Sequence, residues 1–294
     1  MEAGAGDGAR ALLRILRGLP GELRVQEPLA PHTTFRIGGR AFALYRPTTE
    51  SALAEAVVRA RTHGFPWRMV GGGSKLLVPD RGFPGLVVST TGLGAWHEDE
   101  GVLSVGAGVP LARVARWGAW KLAGIPGTVG GAVAMNAGTK HGAIAEQVAW
   151  VQALLPTGRV HTFSPEECGF TYRDSVFRRL RLPVLAVGLR PQLRKDLAPL
   201  LVERARSQPL GVPSAGCVFR NPADGRSAGW LIDQCGLKGA RIGDAVVSER
   251  HANFICNLGR ARAVDVLELV DQVQHCVVSR FGVWLNLELE VVGE

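Results

Sequence analysis

Residues 124–138 read GIPGTVGGAVAMNAG, a stretch with five glycines, one proline and no charge in fifteen residues. Glycine inside a helix or strand costs roughly 0.5–1 kcal/mol against alanine, so Gly124, Gly127, Gly130 and Gly131 mark a backbone that turns sharply or meets something at close range. Two readings fit. One is a packed turn. The other is a loop whose N–H groups meet an anion where the apolar run from Ala132 to Met135 begins a helix.

Upstream, WRMVGGGSKLLVP (67–79) runs a short strand into a triple glycine followed by Ser74 and Lys75. Unhindered N–H groups of this kind suit a diphosphate, although the spacing of a Walker A loop is absent, and a plain glycine turn stays open. VLSVGAGVPLARVARWGAW (102–120) predicts strand, turn and helix. Its Gly106-x-Gly108 begins a dinucleotide fingerprint, but Leu111 stands at the third glycine position and Pro110 interrupts the loop, which argues against a Rossmann site.

Elsewhere in the first half, periodicity predicts a helix within residues 10–19, a strand at Phe42–Tyr45 after a Gly38-Gly39 turn, and a helix from Thr49 to His63. A strand pair flanks Pro156-Thr157-Gly158. A boundary is expected at residues 190–200, where charge and proline break the strand texture. Beyond it come a helix at Ala228–Gln234, a long amphipathic helix at Ala263–Val278, and FGVWLNLELEVVG (281–293) as a terminal strand. That strand would carry Glu288 and Glu290 on one solvated face.

With 294 residues, 46% of them hydrophobic, the chain can fill two or three cores. The net charge of +8 comes mainly from dispersed arginine, and no run of five like charges appears, which excludes a dedicated nucleic-acid surface and favours small anionic partners. Cys168, Cys217, Cys235, Cys256 and Cys276 are odd in number and lack C-x-x-C spacing, so neither a disulfide framework nor a zinc site is expected, and the cytoplasm is the expected compartment. The longest uncharged run, Leu122–Thr139, is too broken by Gly and Pro to span a membrane.

No nucleophile elbow or H-E-x-x-H is present, and the seven histidines are scattered; no metal is expected. Three places remain for chemistry. Tyr172-Arg173-Asp174-Ser175 sets a cation among polar neighbours, as a carboxylate anchor or as a surface ion pair. Pro213-Ser214-Ala215-Gly216-Cys217 leaves room around a thiol and is followed by Arg220-Asn221-Pro222, though a lone cysteine also serves as a small core residue. Glu288 and Glu290 are the third.

Together these segments resemble the flavin-dependent UDP-N-acetylenolpyruvoylglucosamine reductases. The matching pieces are TTFRIGG, GGGSKLL, GIPGTVGGAVAMNAG, YRDSVF, PSAGCVFRNP, AGWLIDQCGLKGARIGDAVVSERHANFI and FGVWLNLELEVVG, in the family's order from about residue 30 onward. The resemblance implies an α+β protein: a vanillyl-alcohol-oxidase-type (PCMH-type) FAD-binding domain over 1–194, with subdomains near 1–85 and 86–194, then a smaller α+β substrate domain over 195–294. The spacing is that of the shorter subtype without the tyrosine loop.

The resemblance further implies that FAD is held by Gly71, Gly72, Gly73, Ser74, Lys75, Leu76, Pro126, Gly127, Thr128, Gly130, Gly131, Ala132 and Asn136. NADPH would be the co-substrate and the UDP-sugar the substrate, contacted by Arg220 and Asn221, in a monomer with no nucleic-acid or membrane partner. Arg173 and Glu288 would polarise the enolpyruvyl carboxylate, and Cys217 would donate a proton. Cys217 replaces the family's usual serine, Arg220 a frequent lysine, and Lys75 the more frequent asparagine, where it would set a cation near the diphosphate. The alternatives are a flavin-dependent alcohol oxidase of the wider fold, or a protein that holds a nucleotide sugar or flavin without turnover.

Overall fold

The computed structural model describes residues 2–192 and 196–293. They form two compact units, one drawn from residues 1–27, 41–72 and 84–201, the other from 28–40, 73–83 and 202–294. The 194/195 boundary expected from the sequence lies outside the described residues. Segments 28–40 and 73–83 belong to the second unit, although both precede that boundary.

In the first unit, α1 (Glu2–Ile15) is followed by a four-stranded sheet of β1 (Gly21–Val25), β2 (Ala41–Pro47), β5 (Phe83–Ser89) and β3 (Trp67–Val70), in that spatial order. Parallel pairing of β3 with β5 needs a crossover. Helix α2 (Glu50–Thr62) begins where Thr49 accepts a hydrogen bond from Ala52 N–H at 3.1 Å, and it buries Leu53, Ala56, Val57 and Ala60, the face the sequence predicts. These join Leu12, Tyr45, Leu86 and Val88 in one core.

The same unit holds a five-stranded antiparallel sheet of β11 (Val160–Phe163), β10 (Val148–Leu154), β12 (Val184–Leu189), β7 (Val102–Gly106) and β6 (Trp96–Asp99). Strand β12 is buried along its whole length because it is central. Helices α3 (Leu111–Trp117), α4 (Val129–Ala134) and α5 (Val176–Arg179), with the short ladder β8 (Gly138–Thr139) and β9 (Gly142–Ala143), complete it. Their core gathers Leu103, Val105, Leu111, Val133, Phe177 and Val187.

The second unit is a four-stranded antiparallel sheet, β13 (Ser214–Cys217), β16 (Phe254–Asn257), β15 (Ala245–Val247) and β14 (Arg241–Ile242), with α7 (Ala228–Gln234) and α8 (Ala263–Phe281). Helix α6 (Ala198–Ser207) precedes it and has no fully buried residue, Arg204 being half-buried. Along α8, Val266, Leu269, Val270, Val273 and Val277 are buried against Leu231, Val247 and Ile255. The helix starts where Asp80 accepts hydrogen bonds from Ala263 and Val264 N–H, and stops at Gly282, which is left-handed at φ 67°. Asp80 thus explains why segment 73–83 belongs to this unit.

The terminal segment differs from the continuous strand the sequence predicts. Only Glu290–Val291 forms a strand (β17), in parallel register with β4 (Leu76–Leu77). Before it, Leu287 bridges Phe219 and Glu288 N–H donates to Val218 carbonyl at 2.8 Å. That pairing turns Glu288 inward, so it is 6% exposed and does not lie on a solvated face.

Candidate active site

In the first unit the two glycine loops meet backbone to backbone. A Cβ built on Gly72 would lie 2.6 Å from Gly127 Cα, one on Gly71 2.3 Å from Thr128 Oγ1, and one on Gly130 2.7 Å from Ala107 Cβ. Loop packing therefore accounts for these glycines, and the packed-turn reading holds for them. The N–H groups of Val129 and Gly130 are already given to the carbonyls of Val109 and Ala107. Gly131 differs, since its Cβ would meet nothing closer than Thr128 Oγ1 at 3.7 Å.

What points to a ligand is Thr128. Its Oγ1 is buried with no hydrogen-bond partner among the described residues, as is that of Thr90. A buried hydroxyl without a partner costs on the order of 1–3 kcal/mol, which an acceptor oxygen placed there would recover. Residues 126–132, with Gly71 and Gly72, thus offer a tight, uncharged cradle with a spare hydroxyl, a fit for a phosphate-bearing cofactor.

The same stretch also reaches Arg173. Asn136, 8% exposed and at φ 41°, donates from Nδ2 to Thr171 carbonyl at 2.8 Å and accepts from Ala145 N–H at 3.3 Å. Thr171 and Asp174 bridge each other, and Ser175 Oγ donates to Ala134 carbonyl at 2.8 Å. Arg173 sits at the tip of this turn with φ 56°, a left-handed conformation rarely held by arginine. Its guanidinium donates to Gly138 carbonyl at 2.8 Å and lies 5.1 Å from the Tyr172 ring centre. The turn is thereby fastened to the end of the glycine stretch, 35 residues earlier in the chain.

In the second unit, Gly216 interrupts β13. Pairing with β16 shifts register between Ser214 and Cys217, and Gly216 takes φ 70°. This bulge re-aims Cys217 at the strand end. Beyond it, Asn253 holds Phe219 twice, accepting from its N–H at 2.9 Å and donating to its carbonyl at 2.8 Å. Glu288 is held to Val218 as described, and Arg220 N–H donates to Asn286 carbonyl at 2.8 Å.

Lys75 completes this cluster. Its ammonium lies 2.8 Å from Glu288 Oε1 and donates to Cys217 carbonyl at 2.7 Å. The side chain expected near a diphosphate is thus placed beside the carboxylate. A Cβ on Gly216 would come within 3.4 Å of this Nζ.

Of the expected substrate residues, Arg220 has a buried Nε with no hydrogen-bond partner among the described residues. Asn221 Oδ1 accepts from Ala228 N–H at 3.0 Å, so half of its amide is spent on starting α7. Sequence reasoning missed Arg204. Burial pushes its guanidinium below the ordinary arginine range, and negative charge at Cys217 or Glu203 would oppose that shift. Arg204 Nε is also buried without a partner among the described residues. A helix flanked by ordinary surface arginines gave no sign of this in the sequence.

Comparison with known proteins follows the same division. Residues 42–164 match the family model described as FAD binding domain, and residues 208–292 the one described as UDP-N-acetylenolpyruvoylglucosamine reductase, C-terminal domain. The protein named UDP-N-acetylenolpyruvoylglucosamine reductase in Heliobacterium modesticaldum is 41% identical, covering 96% of this chain and 95% of that one. Its namesake in Moorella thermoacetica is also 41% identical, over 94% and 95%. The crystal structure of UDP-N-acetylenolpyruvylglucosamine reductase from Thermus caldophilus superposes with a TM-score of 0.75 at 40% identity, covering 93% of this chain and 99% of that one. The fold is accordingly a PCMH-type FAD-binding domain with the C-terminal domain of these reductases.

Proposed function

The chain belongs to the UDP-N-acetylenolpyruvoylglucosamine reductase family, and from that premise we propose that it reduces UDP-N-acetylenolpyruvoylglucosamine to UDP-N-acetylmuramate for peptidoglycan synthesis, using NADPH and FAD. The observation that carries this reading is the Cys217–Arg220 run held by the Glu288 segment, with the thiol at a bulge and the carboxylate buried. FAD, when bound, supplies the hydride chemistry, carrying two electrons from NADPH to the enolpyruvyl double bond.

In this reading residues 1–194 hold FAD and residues 195–294 bind substrate. Gly71–Leu76 and Pro126–Ala132 would form the cofactor cradle, with the Thr128 hydroxyl free to donate a hydrogen bond to a cofactor oxygen, and Asn136 fixes the turn that presents Arg173. The guanidinium of Arg173 meets the enolpyruvyl carboxylate and stabilises charge arriving with the hydride. Glu288 acts at the same carboxylate. Arg220 and the Asn221 amide contact the UDP-sugar.

Cys217 supplies the proton. The carbon–carbon double bond is lost as one carbon gains the hydride and its neighbour the proton. The S–H bond breaks to leave a thiolate, which regains its proton from water. A thiol, which in a free peptide titrates at about 8.5, is a better proton donor than the family's usual serine hydroxyl. A nearby cation would steady that anion, a role open to Arg204. The protein acts as a cytoplasmic monomer.

Stopped-flow absorbance separates the two halves of the reaction. NADPH should bleach the yellow holoenzyme, and the UDP-sugar should restore the colour. A protein that takes up no FAD, or that reoxidises only with oxygen, would sink the proposal; the second result favours the alcohol-oxidase reading.

A further inference from the structure

We propose that Lys75 is a further catalytic residue of the oxidative half-reaction: its ammonium neutralises Glu288 so that a second carboxylate, the substrate's, can be accepted beside it. The inference rests on the function proposed above. It starts from a problem of charge. Glu288 has a side chain only 7% exposed, and a bare carboxylate in such a place would repel an enolpyruvyl carboxylate.

Lys75 removes that repulsion. Its Nζ stands 2.8 Å from Glu288 Oε1 and 2.7 Å from Cys217 carbonyl, so one ammonium joins the carboxylate to the backbone of the proton donor. The backbone keeps it there, because Glu290 N–H donates to Lys75 carbonyl at 2.8 Å and β4 runs in register with β17. The bulge leaves it room, since a side chain at Gly216 would crowd Nζ.

Among the described residues, the titratable or charged groups on elements packed around Glu288 include Cys217 and Arg220 on the β13 side and Glu290 on its own segment. Lys75 stands at ion-pair distance from Glu288 and also touches the Cys217 backbone. As charge grows on the substrate carboxylate during hydride arrival, the pair can offer an N–H or a shared proton where a lone carboxylate could not.

The test uses FAD-loaded protein reduced by NADPH, with reoxidation by the UDP-sugar measured per bound flavin. Lys75→Met should slow reoxidation on the order of 10²-fold, the loss typical of one donor to developing charge. Lys75→Arg should stay within about tenfold of wild type, since it keeps the charge. In the Lys75→Met background, adding Glu288→Gln should cost less than it does alone, because the neutral amide removes the repulsion.

A Lys75→Met enzyme that reoxidises at the wild-type rate, a Lys75→Arg enzyme as slow as Lys75→Met, or defects that multiply in the double variant, would overturn the role while leaving the proposed function standing. A wild-type enzyme that the UDP-sugar does not reoxidise would overturn both.

Discussion

Replacing Asn136 tests whether the glycine stretch fixes the Arg173 turn. Asn136→Ala removes the bond to Thr171 carbonyl at 2.8 Å and the bond from Ala145 N–H at 3.3 Å. Both bonds are part-buried, so each orphaned group costs toward the lower end of the usual range of about 1–3 kcal/mol, about 2–3 kcal/mol together. Alanine must also adopt φ 41°, a left-handed conformation that asparagine tolerates better, adding about 1 kcal/mol. The total of about 3–4 kcal/mol should lower the urea midpoint clearly. Asn136→Gly loses the same bonds without the steric term and should fall about 1 kcal/mol less far. Asn136→Asp keeps an acceptor for Ala145 but sets a carboxylate oxygen against the Thr171 carbonyl oxygen, so it should be no milder than Asn136→Gly. With Thr171 loosened, Arg173 loses its fixed approach, so reoxidation by the UDP-sugar should slow in all three variants. A loss under about 1 kcal/mol for Asn136→Ala would refute the hydrogen-bond account. So would a variant that unfolds readily while substrate reduction by the remaining folded protein is unaltered.

Other outcomes follow from the same contacts. Cys217→Ala should slow reoxidation by about 10²–10⁴-fold, the usual loss of a general acid, while Cys217→Ser retains activity; normal turnover of the alanine variant would assign the proton to another group. Leu269→Ala, in the fully buried stripe of α8, should cost about 2–5 kcal/mol by denaturation, and a loss below about 1 kcal/mol would contradict that packing. Hydrogen bonds from Arg262 hold the Asp265 carboxyl below the usual carboxylate range. A lowered folded value means that this stabilisation is present above the unfolded value of about 4 and is lost as pH falls through the folded one, so Asp265→Asn should flatten the acid side of the stability curve. An unchanged acid side would show that other carboxyls dominate there.

The sequence made the amphipathic elements plain. Thr49 to His63 and Ala263–Val278 carry apolar residues at helical spacing between recognisable start and stop signals, and the observed helices bury those faces. The terminal segment misled because alternation of Leu with Glu reads as a half-solvated strand, whereas distant pairing, of Leu287 with Phe219 and of Glu290 with Leu76, turns Glu288 inward. Long-range register of that kind leaves no local trace. The contacts of Lys75 were hidden for the same reason, since its partners Glu288 and the Cys217 carbonyl lie far along the chain. Arg173 looked remote from the glycine stretch in sequence, and contacts of Gly138, Asn136 and Ala134 with its turn bring the two together.

The glycine stretch itself shows why composition could not choose between its two readings. Gly71 and Gly72 are small because two loops press together, and Gly130 because Ala107 lies against it, and that alone would produce the same residues with no ligand at all. What argues for a ligand is a residue that composition does not single out. Thr128 buries a hydroxyl without a partner among the described residues, which a stable fold avoids unless something completes the bond. Thr128→Val separates the two readings, because it keeps the shape and discards the hydroxyl. If the loops only pack, the variant should be at least as stable as wild type and should bind FAD equally well. If the hydroxyl meets the cofactor, stability without FAD should hold or rise while FAD affinity falls by about tenfold, the worth of one hydrogen bond of about 1.4 kcal/mol. Equal affinity, measured by titration of flavin-free protein, would return Thr128 to the packing role of its neighbours.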